Sequence, residues 1–283
     1  MFSLGTIKQL IKTYIPRRIY LCIYNLCCTK SKRSLTRLQK LAYSTTRNCS
    51  GKITIDGFKI LYVDLLSLYM EYKDIFVHRI YHFEARNTVP YIIDGGACIG
   101  MSALYFKSVY PQATIVSFEP DENIYKVLQS NITANNLVNV ELIMAGLAAK
   151  AGTVSFNADG SDGGKITDGN EGMTTIQTVR LSDYLDCEVD FLKLNIEGQE
   201  LPVLEEVAAS GRLSSVREMV LEYHGWAGGE QRLGKILTLL DQNGFKYLIH
   251  DFDSETNGAT KPPFHFTQKT TWFCLVYAKR NDV

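Results

Sequence analysis

Residues 94–100 read Asp-Gly-Gly-Ala-Cys-Ile-Gly, directly after the apolar run Tyr91–Ile93. Glycines at 95, 96 and 100 let a backbone approach a ligand closely, and a helix starting behind them offers N–H groups to it. Asp94 puts a carboxylate where a sulfonium or the cationic end of an amino acid could be held. A dinucleotide fingerprint starting at Gly95 would need glycine at 97, where Ala97 stands. Glu119 follows 25 residues after Asp94, at the end of the apolar run Thr114–Phe118. A carboxylate there can accept both hydroxyls of a ribose and would repel a phosphate. Loop and acid together describe a site for an adenosine-type ligand without a pyrophosphate.

The elements that must position these residues follow from hydrophobic period. Tyr91–Asp94, Thr114–Phe118, Asn139–Met144, Val189–Asn195 and Arg217–Tyr223 read as short buried strands. Helical patterns over Ser102–Val109, Asp121–Asn131, Gln199–Ala209 and Gly229–Gln242 alternate with them, and Phe245–His250 and Thr271–Lys279 close the domain. Such alternation predicts right-handed crossovers and an α/β Rossmann-like fold, a mostly parallel sheet with helices on both faces. Its ligand sits at the carboxyl ends of the strands, at the switch point beside the first strand. Gly152–Phe156 and Thr174–Arg180 read as a β-excursion joined by a polar linker over Asn157–Gly172, expected to be a mobile surface loop. Ahead of the core, Asp56-Gly57 predicts a hairpin between Lys52–Ile55 and Phe58–Val63, and Leu65–Phe83 reads as mainly helical. Three parts result: a basic amphipathic arm (1–50), a hairpin and helix leading into the core (51–90), and the ligand-binding domain (91–283).

The net charge of zero hides an asymmetry. Residues 1–55 carry eleven Lys and Arg and no Asp or Glu, which leaves 19 basic against 30 acidic residues beyond them. The main domain is therefore not built to hold nucleic acid. The arm has apolar residues at helical spacing (Ile7, Leu10, Ile11, Tyr14, Ile15, resuming after Pro16), a pattern suited to an anionic membrane surface or to packing on the domain. Ile19–Cys28 is too short to span a bilayer. Seven irregularly spaced cysteines predict reduced thiols and a cytoplasmic location, peripheral at a membrane through residues 1–47; the same start also has the composition of an organellar transit peptide.

In order along the chain come IIDGGACIGMSAL (92–104), IVSFEPDENIYKVLQSNI (115–132), AGLAAKAGTVSF (145–156), VDFLKLNIEGQELPVLE (189–205) and MVLEYH (219–224). This ordered set resembles the FkbM family of S-adenosylmethionine-dependent methyltransferases. The resemblance implies the class I methyltransferase sheet, seven strands with one antiparallel, and S-adenosyl-L-methionine as cofactor, held by Asp94, Gly95, Gly96, Ala97, Cys98, Gly100 and Glu119. It also implies methylation of a hydroxyl on a sugar, glycan or secondary metabolite. Two positions depart from the family pattern: Cys98 stands where asparagine is usual, and Asn195 replaces the acid of the LKIDVEGAE word. Cys98 is expected to serve through its backbone, with a thiol made reactive by a helix N-terminus. Asn195 can orient substrate or cofactor by hydrogen bonds but carries no charge, which leaves open a module that binds the cofactor with little turnover.

An alcohol acceptor must lose a proton, so a base near the methyl group is expected. His224, past the fifth strand, suits neutral pH, and Glu197, past the fourth, would orient the acceptor or the cofactor's amino group; with Asn195 these are the candidate catalytic residues. Lys193 shares a strand face with Asn195 and is expected in a structural ion pair with a carboxylate. His78 and His82 are placed at i and i+4 of one helix face, but Arg79 stands where a zinc protease needs an acid, so no metal is assigned. Tyr81, Tyr223 and Trp226 could wall a sugar. The loops Asn157–Gly172, Trp226–Glu230 and Asp251–Phe266 are the expected choosers of the acceptor.

Overall fold

The computed structural model describes residues 33–157, 164–166, 174–251, 263, 265 and 267–280. A helix over 33–44 (α1) comes first, then the antiparallel hairpin β1 (Gly51–Ile55) and β2 (Phe58–Tyr62) around the turn at Asp56-Gly57. Asp56 adopts φ 52° and Gly57 φ 98°, the positive angles a tight turn requires. Helix α2 (Leu65–Glu71) starts on Asp64, whose carboxylate accepts the N–H groups of Leu66 and Ser67 at 3.0 and 2.9 Å.

The helix expected over Leu65–Phe83 is not continuous. A π-helix runs from Tyr72 to His78 and stops at Arg79, which takes the left-handed φ of 60°. His78 and His82 therefore do not share a helix face: His78 Nδ1 lies 3.3 Å from Asp74 and the ring of His82 meets the Arg79 guanidinium at 3.0 Å. Apolar spacing does not register this stop, because Tyr72, Ile75, Ile80, Tyr81 and Phe83 are buried on both sides of it.

The core sheet has seven strands in the order β12 (Phe245–Asp251), β13 (Thr271–Arg280), β11 (Glu218–Trp226), β10 (Phe191–Leu194), β3 (Tyr91–Gly95), β4 (Thr114–Phe118), β5 (Val140–Ile143). All neighbours pair in parallel except β13, which is antiparallel to both β11 and β12. Helices α3 (Met101–Val109), α4 (Glu122–Ala134), α5 (Glu200–Ala209) and α6 (Leu233–Gln242) cover its faces. Strands buried on both sides read as continuous apolar runs, and β10 shows it: all four of its residues are buried, Lys193 included. This is the class I methyltransferase sheet. The chain turns from β3 outward through β4 and β5, then returns to add β10 on the other side of β3, so the switch point lies between β3 and β10.

The expected β-excursion is a second sheet of four strands, β6 (Gly146–Leu147), β9 (Thr174–Val179), β7 (Gly152–Asn157) and β8 (Lys165–Ile166), in that order. Much of the linker expected to be mobile lies outside the described residues, as does most of the loop 251–266. The amphipathic pattern from Ile7 to Cys28 lies outside them too. The remainder of the arm does not stand apart from the domain, because Leu38 and Ala42 of α1 are buried in the main core and Arg47 pairs with Asp64 at 2.9 Å. Asn131 on α4 ties the hairpin down: its side chain pairs with both N–H and C=O of Leu61 (2.7 and 3.0 Å) and donates to the carbonyl of Ile99 at 2.8 Å. Among the described residues no helix is long and apolar enough to cross a membrane.

Candidate active site

The turn after β3 is shaped by three positive φ angles, at Gly96 (78°), Cys98 (48°) and Gly100 (94°). The N–H groups of Gly96 and Ala97 donate to the carbonyl of Phe118 at 3.1 and 2.8 Å, which seats the loop on the end of β4. A side chain at Gly96 would put its Cβ 1.9 Å from the carbonyl oxygen of Asn195, so the glycine is required by close approach as well as by φ. Gly100 then caps α3, and the carbonyl of Gly100 accepts from Leu104.

Beside this loop, over the ends of β3, β4, β10 and β11, lies a cavity of about 450 Å³. Gly96, Ala97, Cys98 and Glu119 line it, as do Asn195, Glu197 and His224. Asp94, Gly95 and Gly100 do not. Asp94 is fully buried beneath the loop and accepts from Ser102 Oγ at 2.5 Å. Lys193, 3.2 Å from Asp94, also donates to the carbonyl of Gly96 and lies 5.5 Å from the centre of the Tyr81 ring. The carboxylate that the sequence offers to a cationic ligand is thus turned on a buried lysine, and the pair braces the glycine loop from below. A central-strand lysine needs such a partner, since an unpaired buried charge is costly.

Glu119 closes the loop from the other side. Its carboxylate accepts the N–H of Cys98 at 3.0 Å and that of Asp121 at 2.9 Å. Burial pushes its carboxyl up to about 7, against the pull of those two N–H groups and of Lys193. The Cys98 thiol does not face an open helix end; it donates to Glu71 at 3.4 Å, linking the loop to the last residue of α2.

At the β10–β11 end, His224 Nε2 lies 3.4 Å from Glu197 and 3.9 Å from Glu222. Glu222 in turn accepts from the Tyr81 hydroxyl at 3.2 Å. Burial drives the Tyr81 phenol well above its ordinary range, with Glu222 adding to it, so Tyr81 is a donor at any working pH. The wall is completed by Glu71, Lys73 and Asp74 from the segment ahead of the core. Sequence reading missed Glu71, Asp74 and Glu222. Only alternation along β11 could have placed Glu222 on the face of His224, two residues on. Of the three aromatic residues expected to wall a sugar, Tyr81 lines the cavity, whereas Tyr223 is buried and accepts from the N–H of Arg232. Trp226 packs beside His224, with ring centres 6.2 Å apart.

The lining suits S-adenosylmethionine, on three counts. Asn195 lines the cavity, and its Oδ1 is a buried acceptor with no hydrogen-bond partner among the described residues, a group suited to an ammonium. Phe118, Ala145, Leu147, Phe156 and Ile176 form an apolar end next to Glu119, fit for a base with its ribose hydroxyls on the carboxylate. Six carboxylates (Glu71, Asp74, Glu119, Asp121, Glu197 and Glu222) face the cavity against Lys73 and Lys193, a balance that favours a ligand of net positive charge.

Sheet order, glycine turn and strand-end acid define a class I methyltransferase that uses S-adenosylmethionine. The comparisons with known proteins narrow this. The model of the methyltransferase FkbM domain matches residues 94–247, and the chain belongs to the FkbM methyltransferase family. Methyltransferase sdnD of Sordaria araneosa is 32% identical over 212 residues, covering 62% of this chain and 80% of that protein. Methyltransferase 1 of Beauveria bassiana is 27% identical over 178 residues, covering 53% and 72%. Among solved structures, the FkbM methyltransferase of Methylobacillus flagellatus KT is 16% identical with a TM-score of 0.43, over 87% of this chain and 59% of that one.

Proposed function

We propose that the chain methylates a hydroxyl group of a sugar, glycan or secondary metabolite, with His224 as the base. The observation that carries this reading is the imidazole on the cavity wall between two carboxylates. His224 lines the cavity, so an acceptor hydroxyl bound there can direct its proton at the imidazole. Glu197 and Glu222 then stabilise the imidazolium as it forms, and Tyr81 holds Glu222 in place. S-adenosylmethionine supplies a methyl group made electrophilic by its sulfonium. Glu119 and Asn195 would hold the ribose and the amino group, and Gly96 and Ala97 would give the close backbone approach. Holding acceptor oxygen and methyl in line can contribute up to about 7–11 kcal/mol. The carboxylate-rich wall favours a neutral or cationic acceptor over an acidic one.

The test is formation of S-adenosylhomocysteine by purified protein with S-adenosylmethionine and a panel of hydroxylated sugars and secondary metabolites. No product with any of them would sink the reading. With an acceptor found, His224→Ala should lower kcat about 100-fold while S-adenosylhomocysteine still binds within about threefold. Loss of binding instead would mean that His224 holds the cofactor.

We also propose that residues 1–47 meet an anionic membrane surface. What supports this is that Arg33, Arg37 and Lys40 of α1 are exposed while Leu38 and Ala42 face the core. Removing residues 1–32 and replacing the exposed Arg33, Arg37 and Lys40 by Gln, which keeps the buried face of α1, should weaken binding to phosphatidylserine vesicles; unchanged binding would end the idea.

A further inference from the structure

We infer that Glu200, which does not line the cavity, is the positioning residue for the Glu197–His224 pair: its carboxylate fixes the turn that presents Glu197 to the imidazole. This rests on His224 being the base, as proposed above. The turn follows β10 and leads into α5. Glu200 Oε1 accepts the N–H of Ile196 at 3.0 Å, and Oε2 accepts that of Gly198 at 3.0 Å, so one carboxylate grips the backbone on both sides of Glu197. Glu197 itself takes φ 52°, the left-handed region, which is unfavourable for a residue with a side chain. Such a conformation persists only where the surroundings hold it.

The other contacts of the turn agree. The N–H of Gln199 donates to Ile196, and the Arg232 guanidinium reaches the carbonyl of Gly198 at 3.4 Å. Gly198 has φ 97°, and a Cβ there would come within 3.2 Å of the Trp226 ring. That same indole flanks His224, so turn and imidazole are wedged against one side chain. Glu200 is 1% exposed and stands in the first turn of a ten-residue helix, where N–H groups favour negative charge. Burial pushes its carboxyl up, while His224 and the N–H groups of residues 200, 196 and 198 pull it back. The two side chains thus feel each other's charge. His224 faces Glu197 from the turn, Glu222 from its own strand and the rings of Trp226 and Phe273, while Glu200 on α5 acts on it through charge alone.

The experiment compares the wild-type chain with Glu200→Gln and Glu200→Asp, all saturated with S-adenosylhomocysteine. It follows the His224 ring titration by NMR and amide exchange at Ile196 and Gly198. Glu200→Gln should lower the His224 midpoint by about one pH unit through loss of a neighbouring negative charge. It should also speed exchange at both amides more than about tenfold. Glu200→Asp keeps the charge on a shorter arm, so exchange should rise while the midpoint stays within about 0.3 unit. A filler role would leave the midpoint unmoved in a folded Glu200→Gln protein, and that result overturns the inference. If Glu200→Gln does not fold, unchanged exchange in Glu200→Asp overturns it equally. Neither readout needs turnover, so failure to methylate any acceptor would defeat the proposed reaction without touching the assignment of Glu200.

Discussion

If Glu119 holds the ribose hydroxyls as a carboxylate, cofactor affinity must depend on pH in a way its burial dictates. The cavity takes its carboxyl from 4.5 to about 7, because desolvation outweighs the N–H groups of Asp121 and Cys98 that favour the anion. A ligand that binds only the anion then sees about nine-tenths of the protein competent at pH 8 and about one-tenth at pH 6. S-adenosylhomocysteine should therefore bind about tenfold more weakly at pH 6, a loss of about 1.4 kcal/mol, and the slope should steepen toward tenfold per unit below that. Glu119→Gln should flatten this dependence and bind about 10- to 100-fold more weakly at pH 8, the worth of a charged hydrogen-bond pair. Stability of the free protein runs the other way. With the folded value above the unfolded one, the contribution is full below 4.5 and is lost as pH rises through about 7, over a range of about 3 kcal/mol. Saturating ligand should remove that loss. Isothermal titration calorimetry from pH 5.5 to 8.5 reads the binding, and urea unfolding reads the stability. Equal affinity of the wild type at pH 6 and pH 8 would refute the reasoning, since Glu119 would then not meet the ligand as an anion.

Other outcomes follow from the same contacts. Gly96→Ala must move either its own loop or the Asn195 carbonyl; urea unfolding should show a loss of at least about 2 kcal/mol, and calorimetry no cofactor binding. Asp94→Asn leaves Lys193 buried opposite a neutral group and should cost about 3–5 kcal/mol, whereas Asp94→Leu combined with Lys193→Met should recover much of it in the same assay. Asn131→Ala strips Leu61 and Ile99 of their partners and should destabilise by about 2–3 kcal/mol, with amide exchange rising first at Leu61.

The order of buried runs from Tyr91 to Lys279 was enough to read the mostly parallel sheet, whereas the one antiparallel strand was expected from the family resemblance. Period and turn chemistry are local, so one chain carries them. Gly96 and Gly100 were legible for the same reason, since each takes a positive φ, and Glu119 stood out by its place just after a buried strand. The break at Arg79 was not legible, because apolar residues continue on both sides of it and only the hydrogen-bond ladder changes. The second sheet was seen only as an excursion, since its short strands β6 and β8 have too few residues to show a period.

The opening loop divides along the same line. That residues 94–100 make a tight turn behind a strand follows from residue type alone, because the positive φ angles at 96 and 100 favour glycine. Which of them face the cavity does not follow from it. Asp94 and Lys193 lie 99 residues apart, and only the parallel pairing of β3 with β10 puts the two side by side and turns the acid inward. His224 gains its carboxylates in the same manner, Glu197 from one strand end and Glu222 from its own. Residue types supplied the chemistry, whereas the partner that each charge meets was decided by sheet register, a non-local property that no period within one strand contains.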